Sequence, residues 1–188
     1  IVDCSTSDPV SSAKLATQLS GLGLHFVDAP LGGTPVQANE GKLSAMVGAE
    51  QAVFDRVKPV ISAWAETIVH IGGPGDGHRM KLINNFLSLG YAALYSEALT
   101  LGKKVGISPQ TFDSVIRGSR MDCGFYQTFM GYTIDGNRDS HKFTLTNALK
   151  DTRYIESMAD SVGLANPIGN AVKNSFAVAV ANGGDGTD

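Results

Sequence analysis

Over the first third of the chain, short apolar runs alternate with stretches in which apolar positions recur every three to four residues. Residues 9–22 place Val10, Ala13, Leu15, Ala16 and Leu19 at helical spacing, with Gly21 and Gly23 just beyond, where helices stop. Residues 24–29 (LHFVDA) read as a strand. A Gly/Pro-rich loop then leads to a second strand at 43–47, a helix at 50–63 and a third strand at 67–71 (TIVHI). Such alternation predicts a parallel α/β sheet. Ile1-Val2-Asp3 has the look of a strand already under way, which predicts a natural amino terminus further upstream.

After Gly75 the pattern becomes helical throughout. The longest predicted helix, 76–105, follows GGPGDG with Asp76 as its expected N-cap and ends near Gly106, where Ser108 and Pro109 open the next. Further helices are predicted at 109–117, 122–133, 144–162 and 167–182. The expected architecture is an α/β domain over 1–73 and an all-α domain over 74–188, joined by the long helix.

Composition narrows the function without naming it. The 188 residues are 43% hydrophobic and 18% charged with a formal net charge of −3, which suits a globular chain and gives no basic surface for nucleic acid. No apolar run approaches the roughly 18 residues of a membrane span. Cys4 and Cys123 are the only cysteines and stand far apart, consistent with a reducing cytoplasm. His25, His70, His78 and His141 are scattered and not at ligand spacing, so no metal site is expected.

Chemistry concentrates on helix 76–105. Apolar residues surround it (Met80, Leu82, Ile83, Phe86, Leu87, Leu89, Leu94, Leu99), the mark of a buried helix. At about 100° per residue, Lys81, Asn84, Asn85 and Ser88 form one short polar stripe near its amino end. Such a stripe either ties down neighbouring loops or forms the wall of an active site. A desolvated lysine can pass a proton near neutral pH, and Asn85, one turn on, could orient a substrate oxygen. His78 and Arg79 flank Lys81 and could weaken its hold on a proton. Glu97, well inside the apolar helix, is expected to be a paired structural carboxylate, with a dimer contact as the alternative.

Four segments, in order, resemble the β-hydroxyacid dehydrogenase family, which includes 3-hydroxyisobutyrate dehydrogenase, tartronate semialdehyde reductase and, more remotely, 6-phosphogluconate dehydrogenase. Asp3-Cys4-Ser5-Thr6 with Pro9 is similar to the family's strand end. Asp28-Ala29-Pro30 through Gly41-Lys42-Leu43 and Met46-Val47-Gly48 is similar to its substrate loop. Gly72 to Gly77 followed by Lys81-Leu82-Ile83-Asn84-Asn85 is similar to its catalytic helix, and Leu149-Lys150-Asp151 to its late Lys-Asp pair. Asp185, in the tail ANGGDGTD, resembles a further family segment. Leu31 runs directly into Gly32-Gly33-Thr34-Pro35 without the usual serine, a loop closer to that of sulfolactaldehyde reductases, though those that hold a sulfonate place an arginine where Gly33 stands.

The resemblance implies a Rossmann-type α/β remnant with a helical domain, NAD or NADP as cofactor, and a small β-hydroxyacid or its semialdehyde as substrate. It implies Lys81 as general acid/base, Asn85, Asn84, Ser88, Gly32 and Gly33 as substrate contacts, and Thr6 and Lys150 as cofactor contacts. A homodimer or homotetramer is expected, with no nucleic-acid or membrane partner. The family's pyrophosphate-binding GxGxxG turn is not among these residues, so the chain alone is expected to bind dinucleotide weakly and not turn over. From the residues themselves two other functions stay open: a lyase using Lys81 as Schiff-base nucleophile, and a non-catalytic helical dimerisation module.

Overall fold

In the computed structural model, residues 1–140 and 142–184 are described, which leaves His141 and Asp185 outside. The chain divides into two compact units, Ile1–Asn85 with Asp151–Asn166, and Phe86–Lys150 with the described residues from Pro167 on.

The first unit holds a five-stranded sheet. Its elements are β1 (Val2–Asp3), α1 (Pro9–Ser20), β2 (Val27–Asp28), β3 (Leu31–Gly32), α2 (Pro35–Asn39), β4 (Leu43–Gly48), α3 (Gln51–Ile61) and β5 (Ala65–Gly72). The expected all-parallel sheet is instead mixed. β1 pairs parallel with β2 and β4 parallel with β5, whereas β2 and β3 both run antiparallel to β4. The reason is local: only the short α2 separates β3 from β4, too little chain for the crossover that a parallel pair requires. Asp28 faces Gly48, Leu31 faces Ala45 and Gly32 faces Ser44, a constant register that the carbonyl of Pro30 keeps by accepting from the Met46 N–H at 3.2 Å. Pro30 has no N–H to give back, so β2 and β3 are one extended arm with a gap. The strand expected at 24–29 is shorter, Val27–Asp28.

The core of this unit lies between the sheet and α3. Val27, Ala29, Ala45, Val47 and Ala49 from the strands and their ends meet Val53, Phe54 and Ile61 from the helix. His70 stacks on Phe54 with ring centroids 4.4 Å apart and bonds the Ala49 carbonyl through Nε2 at 2.7 Å. Its role here is structural.

Helices α4 (Asp76–Lys104), α5 (Pro109–Ile116), α6 (Gly124–Asp135), α7 (Leu145–Ser161) and α8 (Pro167–Ala179) follow, then a π-type turn at Val180–Gly184. In the second unit Leu89, Ala148, Leu149, Val172 and Phe176 form one cluster, and Tyr95, Tyr126 and Met130 another. Burial pushes the Tyr95 hydroxyl up to about 12. The Tyr126 hydroxyl donates to Asp113, whose carboxyl is held below the usual range chiefly by its bond from Arg117. Two expectations for α4 change. Leu87, Leu94 and Leu101 are 56%, 60% and 64% exposed, so the helix is not buried all round in this chain. Glu97 is also exposed and therefore needs no buried partner.

Candidate active site

The amino end of α4 is held by a carboxylate from far back in the chain. Asp28, fully buried at the end of β2, accepts from the Gly75 N–H at 2.6 Å and from the His78 N–H at 2.7 Å. A helix's first N–H groups have no partner within the helix, and an anion there also meets the positive end of its dipole. Asp76, the cap expected from sequence, instead pairs with Arg79. The real cap, Asp28, lies 47 residues before Gly75, which local spacing cannot show. Tight packing surrounds it. A Cβ on Gly48 would come within 2.5 Å of Asp28 Oδ1, 2.7 Å of the Gly73 carbonyl and 2.7 Å of the Gly77 nitrogen, and one on Gly77 would strike the Met46 carbonyl. The glycines of the GGPGDG segment and of Met46-Val47-Gly48 therefore let strand and helix end meet around one carboxylate.

Within the first unit this anchored helix carries Lys81, half-buried, in its second turn. Asn85 lies one turn on and on the same face. It is buried, and its Nδ2 donates to Asp151 Oδ2 at 2.8 Å, which fixes the orientation of the amide. Asn84 is exposed. Gly32 ends β3 with its carbonyl accepting from the Ser44 hydroxyl at 3.3 Å, and Gly33 follows at φ 127°, a conformation that side chains rarely adopt. An arginine at that position would be strained. Thr6 leaves the end of β1, two residues before Asp8, which caps α1 through the Val10 N–H and accepts from Ser157 at 3.0 Å. Ser88 and Lys150, both half-buried, belong to the second unit.

Sequence reasoning missed three residues: Asp28 as the helix cap, Asp151 as the partner that orients Asn85, and His78 as a buried link. Asp28 and Asp151 were visible as the acids of the Asp-Ala-Pro and Lys-Asp motifs. His78 is fully buried. Its ring engages Ser12 at 2.8 Å and the Ser5 carbonyl at 3.1 Å, while Arg79 is taken up by Asp76.

Electrostatics restrict the chemistry of the site. Burial and the neighbouring Asp3 push the Cys4 thiol up, so it stays protonated and is not a ready nucleophile. Among the described residues no group of three or more His, Cys, Asp or Glu is placed to hold a metal, and no helix is long and apolar enough to cross a membrane. What remains is a half-buried amine and an oriented amide on one helix face. Beyond it, β1 and β2 run parallel, and the crevice outside the carboxyl ends of such strands is where doubly wound sheets take nucleotides.

The chain is similar to known proteins over its whole length. Residues 1–72 match the model of the NAD binding domain of 6-phosphogluconate dehydrogenase, and residues 75–188 match that of the NAD-binding domain of NADP-dependent 3-hydroxyisobutyrate dehydrogenase. The chain is 40% identical over 116 residues to 2-(hydroxymethyl)glutarate dehydrogenase of Eubacterium barkeri, covering 62% of this chain and 38% of that one. It is 30% identical over its full length to 2-hydroxy-3-oxopropionate reductase of Escherichia coli, covering 64% of that enzyme. Mycobacterium tuberculosis 3-hydroxyisobutyrate dehydrogenase, solved with L-serine, superposes with a TM-score of 0.87 at 26% identity, over 98% of this chain and 65% of that one. The chain thus spans less than two thirds of the length of each.

Proposed function

The chain belongs to the β-hydroxyacid dehydrogenase family, and from that membership we propose that its residues catalyse the proton-transfer half of an oxidoreduction between a small β-hydroxyacid and its semialdehyde. The supporting observation is the pairing on α4 of half-buried Lys81 with an Asn85 oriented by Asp151. NAD or NADP, when bound, accepts or supplies the hydride at the substrate carbon. Lys81 takes the hydroxyl proton as the acid is oxidised and returns one to the carbonyl oxygen on reduction. Asn85 and Asn84 hold the substrate oxygen, and Gly32 and Gly33 offer backbone N–H groups to its carboxylate. Thr6 would help hold the nicotinamide end of the cofactor. The same resemblance assigns Ser88 to substrate and Lys150 to cofactor, and two free cysteines suit a cytoplasmic setting.

The residues fit one end of a dinucleotide only, because no glycine turn leading from a strand into a helix of the pyrophosphate-binding kind is among them. Residues 1–188 alone should therefore bind NAD(P)H more weakly than low micromolar by calorimetry. Joined to a segment that supplies that turn, they should oxidise β-hydroxyacids. Low-micromolar binding by the chain alone would refute the first expectation, and borohydride trapping of substrate on Lys81 would indicate a lyase instead.

We also propose association of two copies along α4. Within the second unit Leu87, Tyr91, Leu94, Ala98, Leu101 and Val105 alternate at spacings of four and three, the repeat of a helix-pairing seam, and its large members are exposed. Charging the seam with Leu94→Glu should convert a dimer to monomer in sedimentation velocity. A parent chain already monomeric at high concentration would count against the pairing.

A further inference from the structure

His78 is fully buried one turn before Lys81. Its backbone N–H is bound by Asp28 and its ring reaches in two directions. Nε2 lies 3.1 Å from the Ser5 carbonyl and Nδ1 lies 2.8 Å from the Ser12 hydroxyl. A carbonyl only accepts, so Nε2 carries the proton in that contact. Phe26 closes over the ring at 6.4 Å between centroids. One rigid imidazole therefore ties three things together: the turn after β1, the first turn of α1 and the first turn of α4.

The position of that link has a consequence for the chemistry. Ser5 is the residue before Thr6, and Lys81 stands three residues after His78, on a neighbouring line of the helix. We propose that His78 is a positioning residue that sets the separation between the strand end carrying Thr6 and the helical turn carrying Lys81. Hydride and proton must reach adjacent atoms of one substrate, carbon and oxygen, so the groups serving each must be held at a fixed distance. A displacement of about 1 Å can cost on the order of 100-fold in rate. The proposal rests on the oxidoreductase reading above.

The test compares His78→Gln with His78→Asn in the chain joined to a pyrophosphate-binding segment. A glutamine amide can reach the Nε2 position and keep the bond to the Ser5 carbonyl, whereas an asparagine amide reaches only the Nδ1 position and keeps Ser12. The asparagine variant should lose about 10–100-fold in kcat. The glutamine variant should stay within a few-fold of the parent, with melting temperature and NAD(P)H affinity matched between the two. Equal kcat values in the two variants, or losses that follow melting temperature, would overturn the proposal while leaving the oxidoreductase reading intact. A parent without NAD(P)-dependent oxidation of any β-hydroxyacid would overturn both. Should either variant fail to fold, nitrogen NMR of the His78 ring in residues 1–188 decides. A protonated Nε2 whose hydrogen exchanges slowly with solvent supports the link to Ser5, and an Nε2 without a proton excludes it.

Discussion

Replacing Lys81 with alanine in the chain joined to a pyrophosphate-binding segment should lower kcat by about 10²–10⁴-fold, the usual worth of a positioned acid or base. Cofactor affinity should change little, because the amine acts on the substrate oxygen and the dinucleotide is held elsewhere. Lys81→Arg should fail almost as badly. A guanidinium keeps the charge and much of the length but does not release a proton at neutral pH, so a purely electrostatic role would survive the change and an acid/base role would not. Steady-state kinetics of both variants on a panel of small β-hydroxyacids separates these outcomes. Rates within a few-fold of the parent in either variant would make Lys81 structural. Asn85→Ala should raise KM as well as lower kcat, and it should also destabilise the fold, since it leaves the buried Asp151 without the bond it receives at 2.8 Å.

The second large effect concerns folding and falls on a glycine. Gly48→Ala should lower stability by about 3–5 kcal/mol, combining about 1–3 kcal/mol of overpacking with damage to the charged bonds that Asp28 makes to the start of α4. None of the three atoms that a methyl group would meet lies at the end of a flexible side chain: two are backbone, and Asp28 is already fixed by Gly75 and His78. For a domain of this size the melting temperature should fall by about 6–20 °C, readable by circular dichroism. Gly124→Ala is the control, because nothing lies within 4 Å of its added methyl, and a melting temperature close to the parent's is the expected result. A melting temperature for Gly48→Ala equal to that of the parent would mean that the strand and helix end part readily, and that Asp28 does not hold the start of α4 as the geometry implies.

Hydrophobic periodicity and punctuation residues were sufficient for most elements of this protein. Apolar spacing at Val10, Leu15 and Leu19 marks α1, and the run from Met80 to Leu99 marks α4, because each helix presents a face whose period is a property of the backbone itself. The placing of Lys81, Asn84, Asn85 and Ser88 on that helix was legible for the same reason, and the ordered motifs around them pointed to the family. Strand direction was not legible. Leu31–Gly32 and Pro35–Asn39 are too short to carry a period, and they turn the arm from β2 back antiparallel to β4.

Exposure along α4 was not legible either, since an apolar stripe reads alike whether its own chain or a second copy covers it. The least legible feature was the support of the site. Asp28 caps a helix that begins 48 residues later, Asp151 orients an amide 66 residues away, and His78 joins Ser5 to Ser12 across the fold. A buried donor or acceptor must find a partner wherever the folded chain places one. Local sequence therefore determined which helix carries Lys81, and only the tertiary structure decided what holds that helix in place, because those bonds are chosen by proximity in space and leave no period along the chain.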